Sequence, residues 1–303
     1  MEIGIVGLGR MGAGMARRLG RAGVRVVAYD HERVPRDALS GEEGIEVVES
    51  LAAIAAQTSG ERVVLLMLPA GEPTKAALQE LLELLSAGDM IVDGANTYYK
   101  DSMARAMELS QRGLRYIDAG VSGGVYGLAH GFCLMLGGTP KSIELFEPYV
   151  KILAPAPGQG WLHCGPSGAG HFAKMIHNGI EYGMMQAYAE GFALLKARNE
   201  FGFDLGRLAE TWGQGSVVRS WLLELCGEIL KQDEDLQQVA PVVADSGEGR
   251  WTALEAIELG VPAPVITMAL MARFASQGRA DPARRLLAML RAKFGGHPVR
   301  NAQ

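Results

Sequence analysis

Between Lys174 and Gln186 the chain reads KMIHNGIEYGMMQ. Wound as a helix, at about 100° per residue, Lys174, His177, Asn178, Glu181 and Tyr182 fall on one side, at offsets i, i+3, i+4, i+7 and i+8. That spacing ordinarily belongs to a buried apolar stripe. Here it carries an amine, an imidazole, an amide, a carboxyl and a phenol, groups that can take and give protons and hydrogen bonds. The other sides hold Met175, Ile176, Gly179, Ile180, Gly183, Met184 and Met185. A lysine and a glutamate seven residues apart are most commonly solvated surface charges, but the apolar remainder of the helix argues against that here. The face is expected to look into a cleft. Met184 and Met185 read as core filling, and His163 and His171 as structural residues.

A second group of residues offers a partner for such chemistry. The N-terminus, IGIVGLGRMGAGMARRL, is a short apolar run, a glycine-rich turn and an amphipathic segment. In Gly7-Leu8-Gly9-Arg10-Met11-Gly12, Gly7 permits the tight turn, Gly9 lets the backbone approach a pyrophosphate, and Gly12 lets the helix pack close to the strand. The helix start then offers unpaired N–H groups and a positive dipole end. Glycine-rich turns also arise without a ligand; the strand before and the helix after make this one a dinucleotide site. A second run, RVVAYD, ends on Asp30, whose carboxylate suits the adenosine ribose hydroxyls and would repel a 2′-phosphate. NAD is therefore expected over NADP, with Arg33, three residues on, as a charge that could partly reverse the preference.

The elements that must position these groups follow from patterning. Apolar runs EIGIVG, RVVAYD, RVVLLML, MIVDGAN, RYIDAG and FCLMLGG alternate with amphipathic or turn-rich segments. That alternation predicts an α/β fold with a mainly parallel, doubly wound, Rossmann-like sheet. The texture changes at APAPGQG, and after GPSGAG the chain reads as helix, beginning with a segment from about 168 to 198. Residues 1–165 are expected to form the dinucleotide-binding domain and residues 166–303 an all-helical domain. The chain has 303 residues, 48% of them hydrophobic, and a formal net charge of −5. The acidic balance disfavours nucleic acid and anionic membrane as partners. No apolar run is long enough to span a bilayer, the start MEIGIVGLGR lacks a basic signal-peptide head, and Cys133, Cys164 and Cys226 are sparse. A cytoplasmic location is expected.

Taken together, GLGRMG, DGANTYYKDS (93–102), DAGVSGGVYGLAHG (118–131), KMIHNGIEYG (174–183), GEGRWT (247–252), ALMARFAS (269–276) and RAKFGGH (291–297) resemble the 6-phosphogluconate dehydrogenases, in their shorter form. These decarboxylating enzymes belong to the wider β-hydroxyacid dehydrogenase superfamily. HNGIEYG is the narrowest of the motifs, since the hydroxyacid relatives usually carry an Asn-Asn pair after the lysine. The resemblance implies oxidation of 6-phosphogluconate at C3, loss of CO2 and protonation of an enediol to ribulose 5-phosphate, with NAD or NADP as oxidant and no metal. It assigns Lys174 as base and Glu181 as acid. His177 and Asn178 would position substrate hydroxyls and the nicotinamide. Asn96 would touch both substrate and cofactor, and Ser122, Gly123 and Gly124 would face the substrate carboxylate or C3 oxygen. Leu68, Pro69 and Ala70 would line the cofactor.

The resemblance also implies a phosphate grip made by Tyr182, Arg273 and, from the tail of a partner copy, Arg291 and His297. A homo-oligomer, at least a dimer, follows, with residues 166–303 as the substrate-binding and dimerisation domain. One departure stands out: where the longer relatives carry a Lys-Thr pair for the phosphate, this chain aligns Ser246 and Glu248, with Arg250 as a possible replacement charge. Two other readings stay open. One is a non-decarboxylating 3-hydroxyacid dehydrogenase, which needs neither Glu181 nor a phosphate-binding tail. The other is a non-catalytic dinucleotide-binding protein.

Overall fold

The computed structural model describes residues 1–233, 235–295, 298 and 299. Its strands are β1 (Glu2–Val6), β2 (Arg25–Tyr29), β3 (Ile45–Val47), β4 (Val63–Leu66), β5 (Met90–Asp93), β6 (Arg115–Ser122), β7 (Cys133–Gly138) and β8 (Trp161–Gly165). They form one sheet in the order β3-β2-β1-β4-β5-β6-β7-β8. Neighbours run parallel except β6 and β7, which are antiparallel. The apolar runs predict six of these strands; β3 and β8 are additions. Neither advertises itself, because β3 is three half-exposed residues and β8 follows directly on the Pro/Gly cluster with most of its residues only partly buried.

Strand alternation feeds two cores. Ile3, Ile5, Val26, Ala28, Leu65 and Val92 face one layer, where Met15 and Leu19 of helix α1 (Arg10–Arg21) and Phe146 and Val150 of a later helix meet them. Val6, Val27, Val64, Leu66 and Ile91 face the other, against Ile54, Leu78, Leu81 and Leu109. The helices of this half after α1 are α2 (Arg33–Asp37), α3 (Leu51–Gln57), α4 (Glu72–Leu84), α5 (Tyr99–Gln111), α6 (Gly127–His130) and α7 (Pro140–Leu153). The strand order reverses between β1 and β4, so the crevice for a ligand is outside the carboxyl ends of those strands.

From Ala169 to Ala197 a single long helix, α8, runs within a residue of the expected bounds at both ends. The chain divides into two compact units, Met1–Met175 and Ile176–Gln303, and the division falls inside this helix. The first unit reaches past residue 165 because the first two turns of α8 pack on β6, β7 and α5. In the second unit α9 (Leu205–Gly213), α10 (Trp221–Gln232), α11 (Glu248–Glu258), α12 (Pro264–Ser276) and α13 (Asp281–Gly295) follow. Tyr182 packs with Ala253, Ala269 and Leu270, and Phe192 with Leu205, Ala209 and Leu223. Thus α8 is the spine of two small clusters, each closed by a different helix pair. Among the described residues no helix is long and apolar enough to cross a membrane.

Candidate active site

The glycine turn sits at the carboxyl end of β1. Gly7 has φ 92°, and a Cβ there would strike the Met67 carbonyl. A Cβ on Gly12 would collide with the Gly7 carbonyl oxygen, whereas the space around Gly9 is open to 4 Å. Helix α1 starts at Arg10 with no side-chain cap and no acidic residue in its first turn. Its leading N–H groups have no partner within the helix, and with the open space at Gly9 they make a cradle that fits a dinucleotide pyrophosphate. Leu68 packs beside Gly7, and Pro69 and Ala70 follow it on the exposed turn after β4.

Asp30 is buried, and its carboxylate does more than sequence suggests. One oxygen accepts the Leu8 N–H at 2.6 Å and the other the Glu32 N–H at 2.9 Å, with His31 Nδ1 at 3.1 Å. The residue that would meet the ribose also holds the glycine turn in shape. Arg33 pairs with Asp37 on the exposed side of α2.

Around β6 the first unit gathers the next candidates. Asn96 holds φ 49°, a left-handed conformation that Asn tolerates better than most residues, and its Oδ1 accepts the Val121 N–H at 3.1 Å. Ser122 ends β6, and the chain turns away through Gly123 (φ 124°) and Gly124 (φ 51°). Lys174 is only 6% exposed, and its Cβ lies against Gly120, where no further Cβ would fit. Its charge is felt at the end of the strand. Burial pushes up the thiol of Cys133, the residue paired with Ser122 across β6 and β7, and the Lys174 ammonium acts in the opposite direction. Replacing Lys174 with methionine is thus expected to raise the Cys133 thiol further. Less thiolate at a given pH means that alkylation of the Cys133 peptide by iodoacetamide slows several-fold, with Cys226 as the internal reference.

The remaining groups of α8 belong to the second unit. His177 Nδ1 is 3.0 Å from Asn178 Oδ1 and 3.9 Å from Glu181 Oε2, so imidazole, amide and carboxyl form one half-exposed group. Met184, expected as core filling, is exposed, while Met185 packs against the Tyr182 cluster. The 100° step between neighbours puts the two on different sides of the helix.

Tyr182 is buried, and its hydroxyl is 3.1 Å from Ser246 Oγ. The Arg273 guanidinium lies 3.4 Å over the Tyr182 ring and donates to the Ala244 carbonyl at 2.8 Å. Ser246 Oγ donates to the Glu248 carboxylate. Arg250, the possible replacement charge, is engaged by the Asp245 carboxylate, and its guanidinium lies over Phe274. Arg291 is exposed on α13, and His297 falls outside the described residues. Sequence reasoning passed over Asp118, a wholly buried carboxylate on β6. The strand alternation that puts Asp118, Gly120 and Ser122 on one face was the available signal.

The sheet order, the switch point and the glycine turn define a dinucleotide-binding domain followed by a helical unit. The sequence profile of the NAD binding domain of 6-phosphogluconate dehydrogenase matches residues 2–163, and that of the enzyme's C-terminal domain matches residues 170–293. A Haloferax volcanii protein named 6-phosphogluconate dehydrogenase, NAD(+)-dependent, decarboxylating is 41% identical over 99% of this chain and 98% of that one. A Bacillus subtilis protein of the same name is 36% identical over 91% of this chain but 61% of its own length. Among solved structures, Plasmodium falciparum 6-phosphogluconate dehydrogenase matches with a TM-score of 0.83 at 26% identity, over all of this chain and 66% of that one. Mycobacterium tuberculosis 3-hydroxyisobutyrate dehydrogenase shares the fold, with a TM-score of 0.72 at 22% identity over 92% of this chain and 94% of that one. The chain belongs to the 6-phosphogluconate dehydrogenase family, and it is an oxidoreductase of that type with an NAD-binding domain.

Proposed function

We propose that this protein oxidises 6-phosphogluconate at C3 and decarboxylates the product to ribulose 5-phosphate and CO2, with NAD preferred over NADP. The observation that carries the reading is Lys174, a buried lysine whose stem lies on Gly120 of β6, two residues before Ser122 and the turn through Gly123 and Gly124. The turn Gly7–Gly12 and the start of α1 would hold the dinucleotide pyrophosphate, with Asp30 at the adenosine ribose and Leu68, Pro69 and Ala70 beside it. When bound, the nicotinamide supplies the hydride acceptor. Lys174 takes the proton of the C3 hydroxyl, and as an ammonium it then donates to the 3-keto oxygen while CO2 departs. Glu181, two helical turns further along α8, gives a proton to C1 of the product enediol. His177, Asn178, Asn96 and Ser122 orient the substrate, and Tyr182 and Arg273 take its phosphate.

Arg291 and His297 complete the phosphate grip from a second copy in this reading. The second unit exposes Ile180 and Leu194 on α8, Leu254 and Ile257 on α11, and Val265 and Met268 on α12. A homodimer would cover such residues where they adjoin one another. Activity is accordingly expected to fall on dilution in step with the dimer fraction measured by sedimentation; a fully active monomer would remove the shared site.

The deciding assay is steady-state reduction of NAD and of NADP with 6-phosphogluconate, with released CO2 trapped. Reduction matched by CO2, and faster with NAD, is the expected result. Reduction without CO2 would make the protein a non-decarboxylating 3-hydroxyacid dehydrogenase. Equal or better turnover with NADP would mean that Asp30 does not set the preference.

A further inference from the structure

Asp118 sits in the middle of β6 with no exposed surface. One carboxylate oxygen accepts the Gly168 N–H at 2.6 Å, and the other accepts the His171 N–H at 2.8 Å. These amides belong to the entry and first turn of α8, where N–H groups have no partner within the helix. A carboxylate held there also meets the positive end of the helix dipole, so the contact is charge-assisted on two counts. The glycines around it leave no slack. A Cβ on Gly137, the residue opposite Asp118 on β7, would lie 2.5 Å from the carboxylate and 2.7 Å from the Gly170 nitrogen. A Cβ on Gly170 would lie 2.5 Å from the Asp118 carbonyl oxygen and 2.6 Å from the Gly137 nitrogen. Helix backbone therefore rests directly on sheet backbone.

One helical turn beyond Gly170, Lys174 crosses Gly120, which is two residues beyond Asp118 on the same face of β6. The next residue on that face is Ser122. From the side, α5 holds the same turn of the helix, through Ser102 Oγ to His171 Nδ1 at 2.7 Å and through Tyr99 edge-on to Phe172 at 5.0 Å. We infer that Asp118 is a positioning residue: its carboxylate fixes the height and rotation of the start of α8 on β6, and so the place of Lys174 relative to Ser122. A slip of one residue along the helix would turn Lys174 by about 100° away from the strand. The catalytic consequence rests on the reading of Lys174 as the base, but the placement itself does not depend on it.

The test compares Asp118→Asn with Asp89→Asn. Asp89 is a buried carboxylate at the turn before β5, where it accepts the Arg62 and Ser86 N–H groups and pairs with the Arg62 guanidinium. Acetic anhydride labelling, read at the Lys174 peptide by mass spectrometry, reports the seating of the amine whatever the substrate. Asp118→Asn is expected to speed that labelling several-fold and to lower kcat by about 100-fold, the scale of a 1 Å misplacement, with NADH affinity unchanged. Asp89→Asn is expected to lower the unfolding temperature without changing Lys174 labelling or kcat. Wild-type labelling in Asp118→Asn, or the same change in both variants, overturns the inference. If wild type fails to oxidise 6-phosphogluconate while the labelling contrast holds, the assigned reaction is at fault and the positioning stands. Hydrogen exchange on the wild type gives a check that needs no variant to fold. The Gly168 and His171 amides should exchange as slowly as those of β6, and exchange at the rate of a frayed first turn would overturn the inference.

Discussion

Methionine in place of Lys174 is expected to lower kcat with 6-phosphogluconate by about 1,000-fold or more, within the range that loss of a positioned general base produces. Methionine keeps an unbranched stem, so the contact with Gly120 and the burial on β6 are largely retained and the fold should survive. The dinucleotide turn does not involve Lys174, since it is built by Gly7, Gly12, Met67 and Asp30. NADH affinity, measured by fluorescence titration, should therefore stay within a small factor of wild type. Loss of activity together with loss of NADH binding would assign the effect to the fold. Retained activity would remove Lys174 as the base and with it the mechanism proposed above. Glu181→Gln separates the two halves of the reaction: CO2 release and reduction should continue at a reduced rate, while proton delivery to the enediol becomes the slow step.

What sequence could convey about this protein was mostly what a single element conveys on its own. The run of α8 was legible at both ends because glycines and a serine precede it and an uninterrupted helical pattern fills it. The glycine turn was legible because each glycine answers a local steric demand, and Gly7 and Gly12 do meet at the Gly7 carbonyl. Contacts between distant segments were not legible. Asp30 could be placed at the end of a strand, but its bond to the Leu8 N–H joins residues 22 apart. Arg250 reads as a replacement charge, but its pairing with Asp245, five residues before it, could not be read from the residues alone. The role of Asp118 depends on a strand and a helix separated by about fifty residues; alternation within DAGVSGG gives its face, but not the helix start that it bonds. β8 escaped notice for a related reason, since its register on β7 is what makes it a strand.

Replacing Arg273 with alanine is expected to raise KM for 6-phosphogluconate by about 100-fold while changing kcat much less. Two charge-assisted hydrogen bonds to a phosphate account for roughly 3 kcal/mol, which is that factor. The guanidinium is already oriented, held over the Tyr182 ring with one N–H on the Ala244 carbonyl, and its fork has further donors for a phosphate. Lysine at the same position should recover only part of the loss, because a point charge can neither stack on the ring nor bond two oxygens in one plane. Glu248 provides the opposite control. Its carboxylate, bonded to Ser246 beside Tyr182, would repel a phosphate, so Glu248→Gln should lower KM several-fold, and the gain should shrink as salt is added. A phosphorylated substrate requires both changes, in opposite directions. If Arg273→Ala leaves KM where it was and Glu248→Gln does the same, the corner formed by Tyr182, Ser246 and Arg273 does not hold a phosphate. The substrate would then be an unphosphorylated hydroxy acid, oxidised by the same lysine on the same helix.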